Sequence, residues 1–370
     1  TNEPYYAATG NDFDPNKLDD NNHWWKNFAD PVTTRLVLAA LRESYDLRAA
    51  AARVIQARAS LEQASGARLP MVDYNFSRNR TKSSFNLGGG RISALFTTYQ
   101  QTISVSYMLD LFGRLKRAEK ASFAELLASK ADQQALINSV IANVVKARID
   151  IASLQRQLEI AKANIESQQN TVEIVERRYQ QGLVGPVDVR LARENLAQLQ
   201  SQLPQIKISL KRARYALDIL LAKRPGSTPM LDPTLPQLPD LKQIPIGLPA
   251  SLLDRRPDVI AAEMQLAAAS ERIGVSIAQL YPDLNLNADY GRSSDVWRFM
   301  WTDKTEIYSL VFNMTQPIFR GGQLKAQVKA AKARHAEAVA QYSSVVANAI
   351  REVEDALITE KLLQEELDYL

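Results

Sequence analysis

A chain of 370 residues that is 46% hydrophobic and 23% charged, with only 14 Gly and 16 Pro, is expected to fold rather than remain disordered. Its net charge of +4 comes from 45 basic and 41 acidic residues dispersed along the chain, which argues against a nucleic-acid binder. The absence of cysteine excludes disulfides, thiolate metal sites and a cysteine nucleophile, and the sequence contains no run of about 18 apolar residues that would predict a membrane-spanning helix.

The first part of the chain predicts an extended segment followed by a helix. Residues 1–31 begin with a polar stretch rich in Asp, Asn and Pro and are expected to lie extended over other structure. Residues 32–69 are rich in Ala and Arg and predict a helix. Pro70 ends this helix, because the residue before a proline is disfavoured in the helical conformation.

Two stretches of alternating apolar and polar residues predict a β-hairpin over residues 70–111. Val72, Tyr74 and Phe76 alternate with polar residues, and the same period of two returns over residues 101–111. The loop between the two stretches holds three consecutive glycines, Gly88 to Gly90. It lacks the Lys-Ser/Thr pair of a phosphate-binding loop, so it is expected to be a mobile extracellular loop.

Residues 112–222 predict two long helices joined by one short break, QGLVGP, at Gln181 to Pro186. The helix before the break could extend about 100 Å at about 1.5 Å per residue, which indicates a column or tube rather than a globular domain. The helix after the break carries the heptad seam of a coiled coil, which needs a partner helix. The seam consists of Ala192, Leu196, Leu199, Leu203, Ile206, Leu210, Ala213, Leu217 and Leu220. Pro204 interrupts this seam and is expected to destabilise or kink the helix.

The rest of the chain repeats the same series of elements. Seven prolines between residues 223 and 250 predict an irregular connector. Residues 251–281 then predict a helix, residues 282–318 a second β-hairpin, and residues 319–370 a long helix. The apolar residues expected to share one face of its last strand are Tyr308, Leu310, Phe312 and Met314. Three aromatic residues in the hairpin loop are expected at a lipid interface rather than in a ligand site, namely Trp297, Phe299 and Trp301.

The order of these elements indicates an internal duplication. Pro70 and Pro282 each end a helix and begin a hairpin, 212 positions apart. Each unit therefore consists of a helix, a β-hairpin, a long helix and a returning helix. The second unit is expected to be incomplete at residue 370, because the counterparts of its turn and returning helix are missing from the sequence.

Four strands of about ten residues have the length that crosses a membrane in a tilted barrel. Four strands cannot close a barrel, and open sheet edges are not tolerated in lipid. Several chains must therefore contribute, and three copies of four strands would make twelve. One face of each strand is apolar and the other is rich in Asn, Asp, Ser and Thr, as expected for lipid outside and water inside.

Four motifs resemble the TolC-like family of outer-membrane efflux channels, in particular the branch that partners proton-driven drug pumps. They are IGLPASLLDRRPDVIAAEMQLAAASERIG (246–274), LDLFGRLKR (109–117), RYQQGLVGPVDV (178–189) and QPIFRGG (316–322). The resemblance covers nearly the whole chain from Trp24 onward. It implies a mainly α fold with a β-barrel part: a homotrimer with a β-barrel in the outer membrane of a Gram-negative bacterium, a periplasmic α-helical barrel of about 100 Å and an equatorial belt formed by residues 1–31 and 223–250.

The resemblance implies a passive duct that an inner-membrane proton-driven pump supplies with energy, and that a periplasmic adaptor protein joins to the pump. Outer-membrane lipid is the other expected partner, and no cofactor is expected. The RYQQGLVGPVDV match places six residues at a periplasmic tip where the adaptor would bind: Arg178, Tyr179, Gly182, Leu183, Val184 and Asp188. These residues could instead only close the hairpin and cap the next helix. Gly182 suits a tight reversal because glycine accepts positive φ.

The LLDRRPD motif is the most specific part of the resemblance, and its role is expected to be structural. The residues of this signature are Leu248, Pro249, Leu253, Arg255, Arg256, Pro257 and Asp258. An ionic site there is less favoured than a helix start at Pro257. Many family members begin with a lipid-carrying cysteine, so an anchor is expected to have been trimmed, replaced or never present. Because the second tip is missing, gate residues cannot be assigned.

The other candidate signals are weaker. His23 and His335 have no partners at metal-ligand spacing, so no metal site is expected. No arrangement of nucleophile and base is present, so we expect no enzymatic activity. The favoured function is the outer-membrane channel of a tripartite pump that expels drugs or other small toxic compounds. The alternatives are an exit duct for metal ions or secreted proteins on the same fold, and a soluble coiled-coil scaffold.

Overall fold

A computed structural model describes residues 20–87, 90–235 and 255–369. Within these ranges the elements follow in chain order as a 3₁₀ helix (Asp20–Phe28), α1 (Pro31–Glu43), α2 (Tyr45–Gly66), β1 (Met71–Leu87), β2 (Gly90–Leu109), α3 (Arg114–Gln180), α4 (Pro186–Leu220), α5 (Pro257–Ala278), β3 (Asp283–Ser294), two short 3₁₀ helices (Trp297–Phe299 and Asp303–Thr305), β4 (Glu306–Thr315) and α6 (Gln323–Tyr369). A search of the described helices found none with the length and apolar character needed to span a bilayer.

The chain divides into two compact units. The first comprises Thr1–Ala52 and Gln133–Gly247, and the second comprises Arg53–Asp132 and Leu248–Leu370. Two of the three boundaries fall within α2 and α3, and the third lies outside the described residues.

The core of the first unit is formed by apolar side chains of the 3₁₀ helix, α1, α2, α3 and α4. Its buried members are Trp25, Leu36, Val37, Ala40, Leu41, Leu47, Ile137, Val140, Ile141, Val144, Val145, Ile151, Leu210, Leu217 and Leu221. All nine residues of the predicted heptad seam on α4 are buried or half-buried, so the seam is the inward face of this helix. α4 continues through Pro204.

The prediction of an extended N-terminal segment is wrong for the residues that the structure describes. Residues 20–28 form a 3₁₀ helix, and residues 1–19 lie outside the described part of the chain. Aromatic packing explains the difference. The rings of Trp24 and Phe28 meet edge to face with their centroids 6.0 Å apart, and Trp25 is completely buried in the core.

The helix predicted over residues 32–69 is two helices, because the backbone is extended at Ser44 (φ −53°, ψ 127°). The break costs little backbone hydrogen bonding, since Ser44 N–H donates to Ala40 O (2.9 Å) and Ser44 O accepts from Arg48 N–H (3.1 Å). Apolar residues are buried on both sides of the break, so the pattern predicted a continuous helix. The second helix ends at Gly66, three residues earlier than predicted.

The first part of the proline-rich connector is held against α3 and α4 by hydrogen bonds. The buried carboxylate of Asp218 accepts from the N–H groups of Gly226 (2.6 Å) and Thr228 (3.2 Å). Gln155 donates to Leu231 O at 2.9 Å. The part of the predicted connector from residue 236 onward lies outside the described residues, as do residues 251–254 of the predicted helix.

The second unit contains an antiparallel sheet with the strand order β1-β2-β3-β4. β3 and β4 have 12 and 10 residues, close to the predicted length, but β1 and β2 have 17 and 20. The prediction of about ten residues was wrong for the first hairpin, because residues 77–84 of β1 are all polar and residues 90–100 of β2 do not alternate regularly, so the period of two is lost there. The register nevertheless continues without interruption to the pair of Leu87 and Gly90. Gly88 and Gly89 lie outside the described residues.

The register places apolar side chains side by side in some rows of the sheet and polar side chains side by side in others. One row consists of Val72, Val105, Ala288 and Leu310, and the next row on the same face consists of Tyr74, Ile103, Tyr290 and Tyr308. The polar row between them consists of Asp73, Ser104, Asp289 and Ser309. The sheet therefore has the apolar face and the polar face that alternation in the sequence predicted.

Candidate functional site

The tip of the first unit is the turn between α3 and α4, at residues 181–185. Leu183 N–H donates to Arg178 O and Gly182 N–H donates to Tyr179 O, each at 2.9 Å. This pair of bonds is a Schellman motif, which satisfies carbonyl groups at a helix end. Gly182 has φ +74°, as predicted for the reversal, and a Cβ placed there would contact nothing within 4 Å. The glycine is therefore required by its backbone conformation and not by crowding.

The start of α4 is closed by Asp188. Its Oδ2 accepts from Gly185 N–H at 2.9 Å, and its own N–H donates to Gly185 O at 3.2 Å. Pro186 occupies the first helical position, where a missing N–H removes no helical hydrogen bond. The carboxylate also lies at the positive end of the helix dipole. The side chain of Asp188 thus caps the helix.

Three apolar side chains around this turn are exposed. Tyr179 is 47%, Leu183 is 67% and Val187 is 65% accessible, whereas Val184 is half-buried. Arg178 is also exposed, and its carbonyl takes part in closing the turn. Large apolar side chains exposed together are typical of a surface that contacts another protein.

The predicted tip residues therefore lie together but fall into two groups. Gly182 and Asp188 shape the turn, while Tyr179 and Leu183 are available for contact. Val187 was not predicted. The signal that could have revealed it is an apolar residue in the first turn of a helix, away from the heptad seam that begins at Ala192.

An ion pair fixes the two helices just below the turn. Arg193 Nη2 lies 2.6 Å from Glu176 Oε1. The Glu176 side chain is about one-third exposed and the Arg193 side chain about two-thirds exposed, so the pair contributes little stability by itself. Its geometric effect is to hold α3 and α4 in register beneath the exposed group.

The described part of the LLDRRPD motif lies at the start of α5. Arg256 precedes the helix, Pro257 is its first residue and Asp258 lies in its first turn. Arg256 binds Asp258 through Nε (3.1 Å to Oδ1) and Nη2 (2.8 Å to Oδ2), and the same Nη2 reaches Glu352 Oε2 on α6 at 2.6 Å. These bonds from Arg256 hold the pKa of Asp258 below its usual value against the opposing effect of burial.

Arg256 therefore joins the start of α5 to α6, and Arg255 beside it is exposed. The other signature residues, Leu248, Pro249 and Leu253, lie outside the described residues.

The polar face of the sheet carries side chains that can be hydrated. Ser309 Oγ donates to Asp289 Oδ2 at 2.9 Å across neighbouring strands, and Asp73 lies in the same row. A barrel that turned its apolar face to lipid would present this row to its interior. Among the described residues, no three His, Cys, Asp or Glu side chains are grouped to hold a metal ion.

Comparisons of the chain with known proteins agree on one family. A family model described as outer membrane efflux protein matches residues 36–223 and 248–370. The chain is 31% identical over 341 residues to a pyoverdine export outer membrane protein, OpmQ, of Pseudomonas putida, covering 90% of this chain and 72% of that protein. It is 30% identical over 346 residues to the toluene efflux pump outer membrane protein TtgF of Pseudomonas putida, covering 93% and 72%. Among solved structures, the outer-membrane channel OprN matches with a TM-score of 0.86 and 32% identity, over 93% of this chain and 77% of that one.

Proposed function

The chain belongs to the outer membrane efflux protein family, and from this premise we propose that three copies close one channel through which a pump expels small toxic organic compounds. The TolC-like fold expected from the sequence is confirmed, and the protein is an outer-membrane exit duct with a periplasmic helical extension. The proposal concerns its assembly, its contacts and its cargo.

The proposed number of chains in one barrel is based on the two edge strands of the sheet. β1 and β4 are its two edges, and their unpaired backbone groups cannot face lipid. Ring closure by pairing β1 of one copy with β4 of the next removes every edge. Two copies would give about eight strands, a barrel whose interior side chains fill it. Three copies are the smallest assembly that leaves an open lumen.

The proposed partners are a periplasmic adaptor and an inner-membrane proton-driven pump. The support for an adaptor site is the exposed group at the tip, Tyr179, Leu183 and Val187, which is held in place by the Schellman motif and by the ion pair of Glu176 and Arg193. A rigid turn that presents apolar side chains loses little conformational entropy on docking. The duct itself is proposed to carry out no chemical step.

Two observations support the proposed cargo: the names of the relatives and the polar face of the sheet. Relatives are named for the efflux of toluene and for the export of pyoverdine, which are organic compounds of different polarity. A channel wall lined by Asp, Asn, Ser and Thr side chains is polar without being selective for one compound, so it suits cargo that the pump has already selected. We therefore assign drugs and other small toxic organic compounds to this duct as a class.

The test measures channel formation by conductance, and it measures docking to the adaptor by the resistance of cells. The purified chain would be sized in detergent and inserted into planar bilayers, and it would also be expressed in cells that lack their own efflux channels. A trimer with discrete conductance steps and restored resistance to toluene is expected. Tyr179→Ser with Leu183→Ser should keep the conductance and lose the resistance, whereas Ile208→Ser, another exposed apolar residue on α4, should keep both. A soluble chain without conductance would favour the coiled-coil scaffold.

A further inference from the structure

Near the hairpin ends, the apolar face of the sheet carries a row of three tyrosines and one isoleucine. Tyr74, Ile103, Tyr290 and Tyr308 lie side by side in this row, and the next row toward the hairpin ends consists of Phe76, Gln101, Arg292 and Glu306. Tyrosine is favoured where an apolar surface meets the polar region of a bilayer. The row therefore marks the outer boundary of the lipid-facing band, because the opposite ends of these strands connect to the helices.

Basic residues follow this boundary on the same face of β1. Arg78, Arg80 and Lys82 continue the series of Val72, Tyr74 and Phe76 with the period of two that defines one face of a strand. Residues on the opposite face at the same height are uncharged, namely Ser77, Asn79, Thr81 and Ser83. If both faces of β1 met only water, its basic residues would not be expected to lie on one face alone.

From Tyr74 onward, the first hairpin contains no acidic residue that could neutralise these cations. Residues 74–109 contain four basic and no acidic residues. The second hairpin, residues 283–315, has five acidic and three basic residues, and its Arg292 and Glu306 lie opposite each other in the register. The excess of positive charge therefore belongs to β1.

Aromatic rings support the first of the cations. The guanidinium of Arg78 lies over the ring of Tyr99, 5.4 Å from its centroid. Trp297 packs edge-on against Tyr99 and Phe76, at 5.6 and 5.8 Å. The cations thus begin directly above an aromatic cluster that is itself suited to the bilayer interface.

We propose that Arg78, Arg80 and Lys82 form a binding strip for anionic, phosphate-bearing head groups of lipids in the outer leaflet. Phosphate groups at the membrane surface supply the missing negative charge, and arginine binds phosphate with two parallel hydrogen bonds. Such lipids would collect around the outer rim of the barrel and fix its depth in the membrane. The inference rests on the outer-membrane barrel and is independent of the cargo and of the adaptor site.

The experiment uses Trp297 as a reporter of nearby lipid. The full chain is reconstituted in phosphatidylcholine bilayers that contain a minor fraction of phosphatidylglycerol, with one of the two lipids brominated so that it quenches tryptophan. Subtracting the signal of the Trp297→Phe variant isolates Trp297. We expect brominated phosphatidylglycerol to quench Trp297 more than its bulk fraction predicts, with an excess that salt reduces.

Neutralising the strip with Arg78→Gln, Arg80→Gln and Lys82→Gln should remove this excess, by roughly fivefold in lipid preference for each charge. The matched control neutralises Lys325, Lys329 and Lys332 on α6, which changes the net charge equally and should keep the preference. If the triple variant does not assemble, Arg80→Gln alone should lower the preference and Arg80→Lys should keep it.

Equal quenching by both brominated lipids in the wild-type protein, or an undiminished preference in the neutralised strip, would overturn the inference. Conductance measured on the same samples separates this result from the channel proposal. Wild-type protein that conducts without lipid preference contradicts only the lipid strip, whereas protein that neither inserts nor conducts contradicts both.

Discussion

The guanidinium of Arg148 on α3 lies 3.3 Å from the carboxylate of Asp30, the residue that caps α1, and both side chains are at least 95% buried. Asp30 also accepts from Val32 N–H (2.9 Å) and Thr33 Oγ (2.7 Å), and Arg148 donates to Thr234 O (3.0 Å). One buried ion pair thus connects a helix start, a long helix and the connector within the first unit.

Arg148→Met should lower the free energy of unfolding by about 3 kcal/mol, because it leaves the Asp30 carboxylate buried without its counter-ion. Arg156→Met is the matched control, since the ion pair of Arg156 and Glu159 is exposed and its loss should cost less than about 1 kcal/mol. Urea denaturation followed by tryptophan fluorescence measures both. Equal effects of the two substitutions would show that the buried pair is not a stabilising connection.

The same pair predicts how stability depends on pH. Burial raises the pKa of Asp30, but hydrogen bonds from Thr33 and Val32 and the charge of Arg148 together lower it below its usual value. A lowered pKa means that ionised Asp30 stabilises the fold above about pH 4 and that this contribution is lost as the pH falls further. Asp30→Asn should therefore be less stable at neutral pH and show a weaker loss on acidification.

Asp132 provides the opposite case as a control. Burial raises the pKa of its carboxyl, and the charge of Arg53 offsets this effect only in part. Its ionised form is therefore unfavourable in the folded protein, so Asp132→Asn should not reduce stability at neutral pH. Thermal unfolding midpoints between about pH 3 and pH 7 compare the two substitutions. Parallel pH profiles for wild type and Asp30→Asn would contradict the assignment.

Periodicity in the sequence predicted the elements whose side chains face two different environments. The heptad seam of α4 and the alternation of Tyr308, Leu310, Phe312 and Met314 each have one apolar side, so the pattern was visible. Residues 77–84 of β1 are all polar and show no such contrast. The break at Ser44 could not be predicted from the sequence either, because apolar residues are buried on both sides of it. The backbone hydrogen bonds of Ser44 are also kept across the break.

The candidate tip was predicted from QGLVGP and from the resemblance, but the role of each side chain was not. Whether Asp188 binds a partner or caps its own helix depends on a 2.9 Å contact with Gly185 N–H that no spacing specifies. Exposure of Val187 likewise depends on how α4 leaves the turn. The sequence predicted where the turn lies, and three-dimensional contacts divide its residues between those that close the turn and those that are exposed.

Gly182→Ala should destabilise the tip through the backbone alone. Gly182 has φ +74° and open space around it, so a methyl group meets no clash but must adopt a left-handed conformation at a cost of about 1 kcal/mol. Gly185→Ala is the control, because Gly185 has φ −86° and its added Cβ would lie 3.6 Å from Asp188, an ordinary contact. Hydrogen exchange of the amides around residues 179–188 should become faster only in Gly182→Ala. Unchanged exchange there would mean that the turn tolerates another conformation.

Neighbouring residues on β4 test which face of the sheet meets lipid. Leu310 lies on the apolar face and Ser309 on the polar face, and both strand positions are in the same register with β3. An arginine at a lipid-facing position near the middle of the bilayer costs about 2–4 kcal/mol, whereas a lumen-facing arginine stays hydrated. Leu310→Arg should therefore reduce the yield of folded protein in vesicles.

Ser309→Arg should fold normally and change conduction instead. The new cation would lie beside Asp289, whose carboxylate Ser309 contacts in the wild-type protein, so the lumen would lose negative potential. The ratio of cation to anion permeability in planar bilayers should fall in this variant, and the yield of assembled channel should equal that of the wild type. If Ser309→Arg blocked assembly while Leu310→Arg assembled and altered ion selectivity, the two faces would have to be exchanged, and the polar row of Asp73, Ser104 and Asp289 could not line the lumen.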